Sequence, residues 1–109
     1  MASVAHFDDA NFDVEVLQSK VPVLVDFFAE WCGPCQTLSP VVEELARDYA
    51  GRIKIGKVDV DHAHVTQTQY GIMAVPTLIL FKDGKAFEKI MGLQPKAALR
   101  KRLDAMLVA

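Results

Sequence analysis

Cysteine is scarce: the chain has two in 109 residues. Two cannot build the disulfide framework that small secreted domains use in place of a large core. They also fall short of the four ligands a structural zinc takes. An excess of one charge is missing too. Twelve basic residues against fourteen acidic ones leave −2, so no charge field points to nucleic acid or to an anionic membrane surface. Apolar runs of membrane-spanning length are absent: no stretch approaches the roughly 20 residues a membrane helix needs. The opening MASVAHFDDANF has neither a basic start nor a continuous apolar segment and does not read as a secretory signal. The cytoplasm is the expected compartment. No repeat, low-complexity tract or linker interrupts the chain, so a single domain over 1–109 is expected.

What is present suits a packed core: 51% apolar residues against 24% charged. Val21 to Trp31 is a near-continuous apolar run, the pattern of a central strand buried on both faces. Beyond Gly33-Pro34 the spacing turns helical, with Leu38, Val42, Leu45 and Tyr49 on one side. Pro34 suits the first helical position, where its missing N–H costs nothing. Ile53 to Val60 predicts a second strand, followed by a short helix opened by Asp61 and closed near Gly71. Thr77 to Phe81 and Ala86 to Met91 predict two strands joined at Lys82-Asp83-Gly84-Lys85, a two-residue hairpin signal. Pro95 opens a last helix carrying Leu99, Leu103, Met106 and Leu107. A short strand from Ser3 to Phe7 and a helix from about Asp9 to Gln18 complete the front.

The order is βαβαβα followed by ββα, an α/β chain with a central mixed five-stranded sheet flanked by four helices. Alternation of strand and helix implies parallel pairing, to which the hairpin adds an antiparallel edge. Cys32 then falls at the C-terminal end of a central strand and beside a helix N-terminus, where open α/β sheets place their chemistry.

Cys32 and Cys35 admit three readings. As a staple they would close a very short loop, worth only about 2 kcal/mol in the chain-entropy model. As a metal site they lack partners, since His62 and His64 lie on a separate polar segment and His6 stands alone. As a redox couple they need nothing more, because C-x-x-C beside a βαβ pattern is a dithiol motif. Thiol–disulfide exchange needs a thiolate, and Cys32 precedes a helix whose free N–H groups favour negative charge. Lowering a thiol pKa from about 8.5 to about 7 raises the thiolate roughly sixteenfold at neutral pH. The accompanying fall in nucleophilicity takes back about fivefold, so positioning must supply most of the catalysis. Cys32 is expected to be the attacking nucleophile and Cys35 the resolving thiol one turn away. Asp26, inside VLVDFF, is a carboxylate where burial should be costly and should raise its pKa. It is either a proton carrier or a core Asp satisfied by backbone.

The segment WCGPC resembles the thioredoxin active-site signature residue for residue. DFFAEWCGPC, Val75-Pro76-Thr77, FKDG and Met91-Gly92 fall at that family's spacings, and the resemblance runs over essentially all 109 residues. It implies the thioredoxin fold and a protein disulfide reductase cycling through Cys32 and Cys35, with Gly33 and Pro34 between them and no bound cofactor or metal. It implies that Asp26 lies behind the resolving cysteine and exchanges its proton, with Lys57 nearby. It implies a cis bond between Val75 and Pro76, where sequence alone favours trans. Trp31, Ala74, Val75, Pro76 and Gly92 would border a substrate groove, with Val60, Met73, Met91 and Leu93 completing an apolar rim. The implied partners are an NADPH-dependent thioredoxin reductase and oxidised proteins such as ribonucleotide reductase, peroxiredoxin or methionine sulfoxide reductase, met by a monomer. Phe28 stands where the family commonly has Trp, and Gln36 where a basic residue is usual. A disulfide oxidase or isomerase of the same fold, or a binding module using the groove without turnover, are the alternatives.

Overall fold

A computed structural model describes residues 4–108. The elements in chain order are β1 (Ala5–Phe7), a π-helical turn (Asp13–Leu17), β2 (Val23–Phe28), α1 (Gly33–Asp48), β3 (Lys54–Asp59), α2 (His64–Gln69), β4 (Thr77–Lys82), β5 (Lys85–Met91) and α3 (Lys96–Leu107). The expected order of strands and helices is therefore the observed one. The five strands form one sheet in the order β1-β3-β2-β4-β5.

Strand direction departs from the expectation. β3 runs parallel to β1 and β2, but β4 runs antiparallel to β2, with Val23 opposite Phe81 and Phe27 opposite Thr77. β4 starts at the end of the sheet where β3 finished and runs back, so the segment holding α2 connects neighbouring strand ends instead of crossing the full length of the sheet. The hairpin follows its signal: Asp83 and Gly84 both have positive φ, 53° and 79°, the conformation a two-residue primed turn requires.

β2 is buried along almost its whole length, as its apolar run implies. Its two faces feed two cores. Val23, Val25 and Phe27 join Phe7, Phe12 and Val16, while Leu24 joins residues of α1 and α3 such as Leu38, Leu45, Leu99 and Leu103. Leu107 is only partly buried against this second core.

Several boundaries move. The first helical segment begins at Asp13 rather than Asp9. Before it, Asp8 and Asn11 bond reciprocally, each backbone N–H donating to the other's side-chain oxygen at 2.8 and 2.9 Å, and hold a turn instead. β1 is seen from Ala5, and Ser3 lies outside the described residues. α1 starts at Gly33, so Pro34 is second in the helix. α2 is not opened by Asp61. Its free N–H groups are taken from a distance by the Asp9 carboxylate, which accepts from Val65 N at 3.2 Å and Thr66 N at 2.9 Å. The Thr66 hydroxyl donates to the same carboxylate at 2.7 Å. No helix among the described residues is long and apolar enough to cross a membrane.

Candidate active site

Cys32 caps α1 in an extended conformation, φ −91° and ψ 112°, and Cys35 lies on the first turn. This is the geometry the Gly33-Pro34 pair allows: Pro34 fits the first turn without needing an N–H partner. Cys32 and Cys35 are joined by a disulfide with their Cα atoms 5.3 Å apart. The backbone N–H of Cys35 donates to Cys32 Sγ at 3.2 Å. Both cysteines are buried. The carbonyl oxygen of Val75 lies 3.7 Å from Cys32 Sγ, and the Val75–Pro76 bond is cis. Gly92 N–H donates to the Pro76 carbonyl at 2.9 Å, which ties the end of β5 to this loop. Gly92 has φ +87°, and a Cβ there would meet nothing within 4 Å, so the space beside it is open.

Trp31 stands out from the surface, 72% exposed, with its Nε1 donating to the Asp61 carboxylate at 2.9 Å. That bond explains why Asp61 serves the tryptophan and not α2. A shallow groove of about 150 Å³ is lined by Trp31, Val60, Asp61, Met73, Ala74 and Val75 among others. Val60 is buried within it. Met91, Gly92 and Leu93 do not line this groove; they join the site through the Gly92–Pro76 contact, with Met91 and Leu93 exposed.

Asp26 lies at the middle of β2, fully buried, and neither carboxylate oxygen has a hydrogen-bond partner among the described residues. It is thus not a core Asp satisfied by backbone. Burial pushes its pKa from 3.8 up to about 6, with the positive charge of Lys57 opposing the rise. Lys57 is its register partner on β3. The Lys57 ammonium, however, donates to Ser39 Oγ at 3.0 Å and sits 4.5 Å over the Phe28 ring. Lys57, Ser39 and Phe28 line a second cleft, about 450 Å³, together with Cys35 and Gln36, while the Asp26 carboxyl itself does not line it. The Gln36 side chain is tied to the backbone, its Nε2 donating to the Glu30 carbonyl at 2.7 Å.

His62 pairs with Asp59 at 3.0 Å and His64 begins α2. Among the described residues no group of three or more His, Cys, Asp or Glu is placed to hold a metal ion.

The family model described as Thioredoxin matches residues 3–105. Thioredoxin 1 of Synechococcus elongatus is 46% identical over 107 residues, covering 98% of this chain and 100% of its own length. Thioredoxin of Haemophilus influenzae is 43% identical over 99 residues, 91% of this chain and 92% of its own. Thioredoxin M4, chloroplastic, of Arabidopsis thaliana is 43% identical over 105 residues, 96% of this chain and 54% of its own. The chain belongs to the thioredoxin family.

As a thioredoxin it is a thiol–disulfide oxidoreductase, a protein-disulfide reductase whose redox group is the Cys32–Cys35 pair. The two sulfurs are placed to close and open that disulfide. One residue of the site escapes sequence reasoning. Ser39 is four positions beyond Cys35, hence on the same helix face, and that spacing was the available signal. Nothing in the pattern says that Lys57 of this thioredoxin reaches for it.

Proposed function

We propose that Cys32 opens a substrate disulfide and Cys35 resolves the product, with Asp26 moving the proton and Lys57 supporting it. The Cys32 thiolate attacks one sulfur of the substrate; a mixed disulfide forms and the other substrate sulfur leaves as thiolate. Cys35 then gives its proton to the Asp26 carboxylate and attacks Cys32 Sγ. The intramolecular disulfide closes, the second substrate sulfur departs, and the substrate has gained two electrons. Gly33 and Pro34 keep the two sulfurs on one helical turn.

The observation that carries this reading is the disulfide at the α1 N-terminus with the backbone carbonyl of Val75 beside it. Val75 oxygen, 3.7 Å from Cys32 Sγ, belongs to a segment that can pair with an extended substrate backbone, a short strand-addition contact. Trp31, Ala74, Val75, Pro76 and Gly92 would border that substrate. Val60, Met73, Met91 and Leu93 would supply apolar contact, the exposed methionines adapting to different partners. The electrons would return from NADPH through a thioredoxin reductase, in the cytoplasm, to a monomeric single-domain protein that binds no cofactor. Ribonucleotide reductase, peroxiredoxin and methionine sulfoxide reductase are the kinds of oxidised protein it would serve.

Cys35→Ser tests the division of labour. The variant is expected to accumulate a stable mixed disulfide through Cys32, visible by mass spectrometry; a variant that turns over and traps nothing refutes it. Trp31, the single tryptophan, reports the couple itself. Its fluorescence against graded dithiol–disulfide buffers should give a midpoint well below that of the glutathione pool. A midpoint well above it indicates an oxidase or isomerase, and no reversible transition indicates a binding module.

A further inference from the structure

The β2–β3 pair beside the Cys35 cleft holds an arrangement that the exchange mechanism alone does not explain. Asp26 and Lys57 are cross-strand partners in the β2–β3 ladder, and the buried carboxyl has two oxygens without a partner. A flexible ammonium so placed is the natural group to pair with it. Instead Lys57 Nζ is bound elsewhere, 3.0 Å from Ser39 Oγ and 4.5 Å from the centre of the Phe28 ring. An aromatic face attracts a cation, and a hydroxyl oxygen accepts its N–H. Together they offer the charge a seat at the wall of the cleft.

We propose that Ser39 is a positioning residue: its hydroxyl seats the Lys57 ammonium on the Phe28 ring, short of Asp26, and so sets how much positive charge the buried carboxyl feels. The inference rests on the proposed proton-transfer role of Asp26. Other charged groups around the carboxyl are few. β4 presents Leu78 in register, which is apolar. α1 contributes Cys35 and Ser39 to the cleft, and Glu30 lines its exposed mouth. On the neighbouring strand Lys57 is the charged residue in register with Asp26, with Lys54 and Asp59 at the strand's two ends, so the carboxyl responds chiefly to where that ammonium rests. With Ser39 in place the ammonium stays back, and the carboxyl keeps its proton to a higher pH. Without it the ammonium is free to swing to the carboxylate and stabilise the ionised form. The hydroxyl thereby tunes the pH at which Asp26 can take a proton from Cys35.

The test is a carbon-13 NMR titration of the Asp26 carboxyl in the oxidised protein, where neither cysteine titrates. Ser39→Ala should lower the Asp26 midpoint by about 1 pH unit, the low end of what a nearby opposite charge does. Ser39→Thr should restore it. In a Lys57→Met background, Ser39→Ala should have no effect, because the group it acts through is gone. The pH profile of the resolving step should move down with the carboxyl in Ser39→Ala. A midpoint that stays in place or rises in Ser39→Ala overturns the proposal, as does an equal shift with and without Lys57. Failure of the proton-transfer reading looks different: Asp26→Asn would then leave the resolving step and its pH profile unchanged, whatever Ser39 does to the titration.

Discussion

Asp26 places a carboxyl where the surrounding sheet offers it no hydrogen bond, and its energetics can be read through pH. The native pKa, about 6, lies about 2 units above the ordinary 3.8, equivalent to about 3 kcal/mol between the two protonation states. Between about pH 4 and pH 6 the folded chain holds this proton and the unfolded chain has lost it. More protons bound in the native state make stability fall as pH rises through that window. Above it, the ionised buried group costs the fold the full amount. Asp26→Asn keeps the shape and removes the titration. Urea unfolding from pH 4 to pH 7.5 should therefore show the variant gaining on the natural chain with rising pH, to about 3 kcal/mol at the neutral end. A constant difference across that range would mean that the carboxyl is not the group responsible. The same variant should slow the resolving step, so this residue sets stability against turnover.

At the scale of elements, α2 has only six residues and no capping side chain of its own, and its start depends on Asp9, more than fifty positions away. The bond from the Thr66 hydroxyl, ahead of the backbone bonds, holds the Asp9 carboxyl below the usual carboxylate range. Its contribution is complete above the unfolded carboxylate value and disappears as pH falls through the lowered folded one. Asp9→Ala should lower the melting temperature at neutral pH and speed amide exchange at Val65 and Thr66. The gap from the natural chain should close in acid, and a gap that persists there would rule out the carboxylate cap. This contact marks what was legible. Local signals were read correctly from the sequence: the apolar run of β2, the Asp83-Gly84 turn, the helix behind Gly33-Pro34 and the cysteine pair itself. Long-range facts were not. Asp61 looked like the cap of α2 because it precedes it, whereas the real cap arrives from the front of the chain and Asp61 serves Trp31. The reversed β4, the Lys57–Ser39 contact and the unsatisfied state of Asp26 all depend on what the fold brings alongside. The cis Val75–Pro76 bond was signalled by family resemblance and not by any property of the dipeptide.

For the whole molecule, four of the exposed large apolar side chains, Trp31, Met73, Met91 and Leu93, come from the segments around the disulfide, while others such as Val65, Phe87 and Val108 are scattered elsewhere. Trp31, Met73 at 94% and Met91 at 67% exposure come from the loop after β2, the segment before β4 and the end of β5, which the cis peptide and the Gly92–Pro76 bond hold together. Solvated to this degree, the two methionines contribute little to folding, and an apolar patch kept in water suits a partner surface. Burying part of each in a complex is worth about 1 kcal/mol per side chain, or about fivefold in rate at limiting substrate. Met73→Glu and Met91→Glu should each lower kcat/KM for a protein disulfide by about fivefold to tenfold, chiefly through KM. Turnover of a small-molecule disulfide should barely change, because that substrate reaches Cys32 without covering the patch. Melting temperature should stay within about a degree, as for other surface substitutions. An equal loss on both substrates would mean that the methionines act on the sulfur chemistry itself, and the patch would then lose its role in recognising proteins.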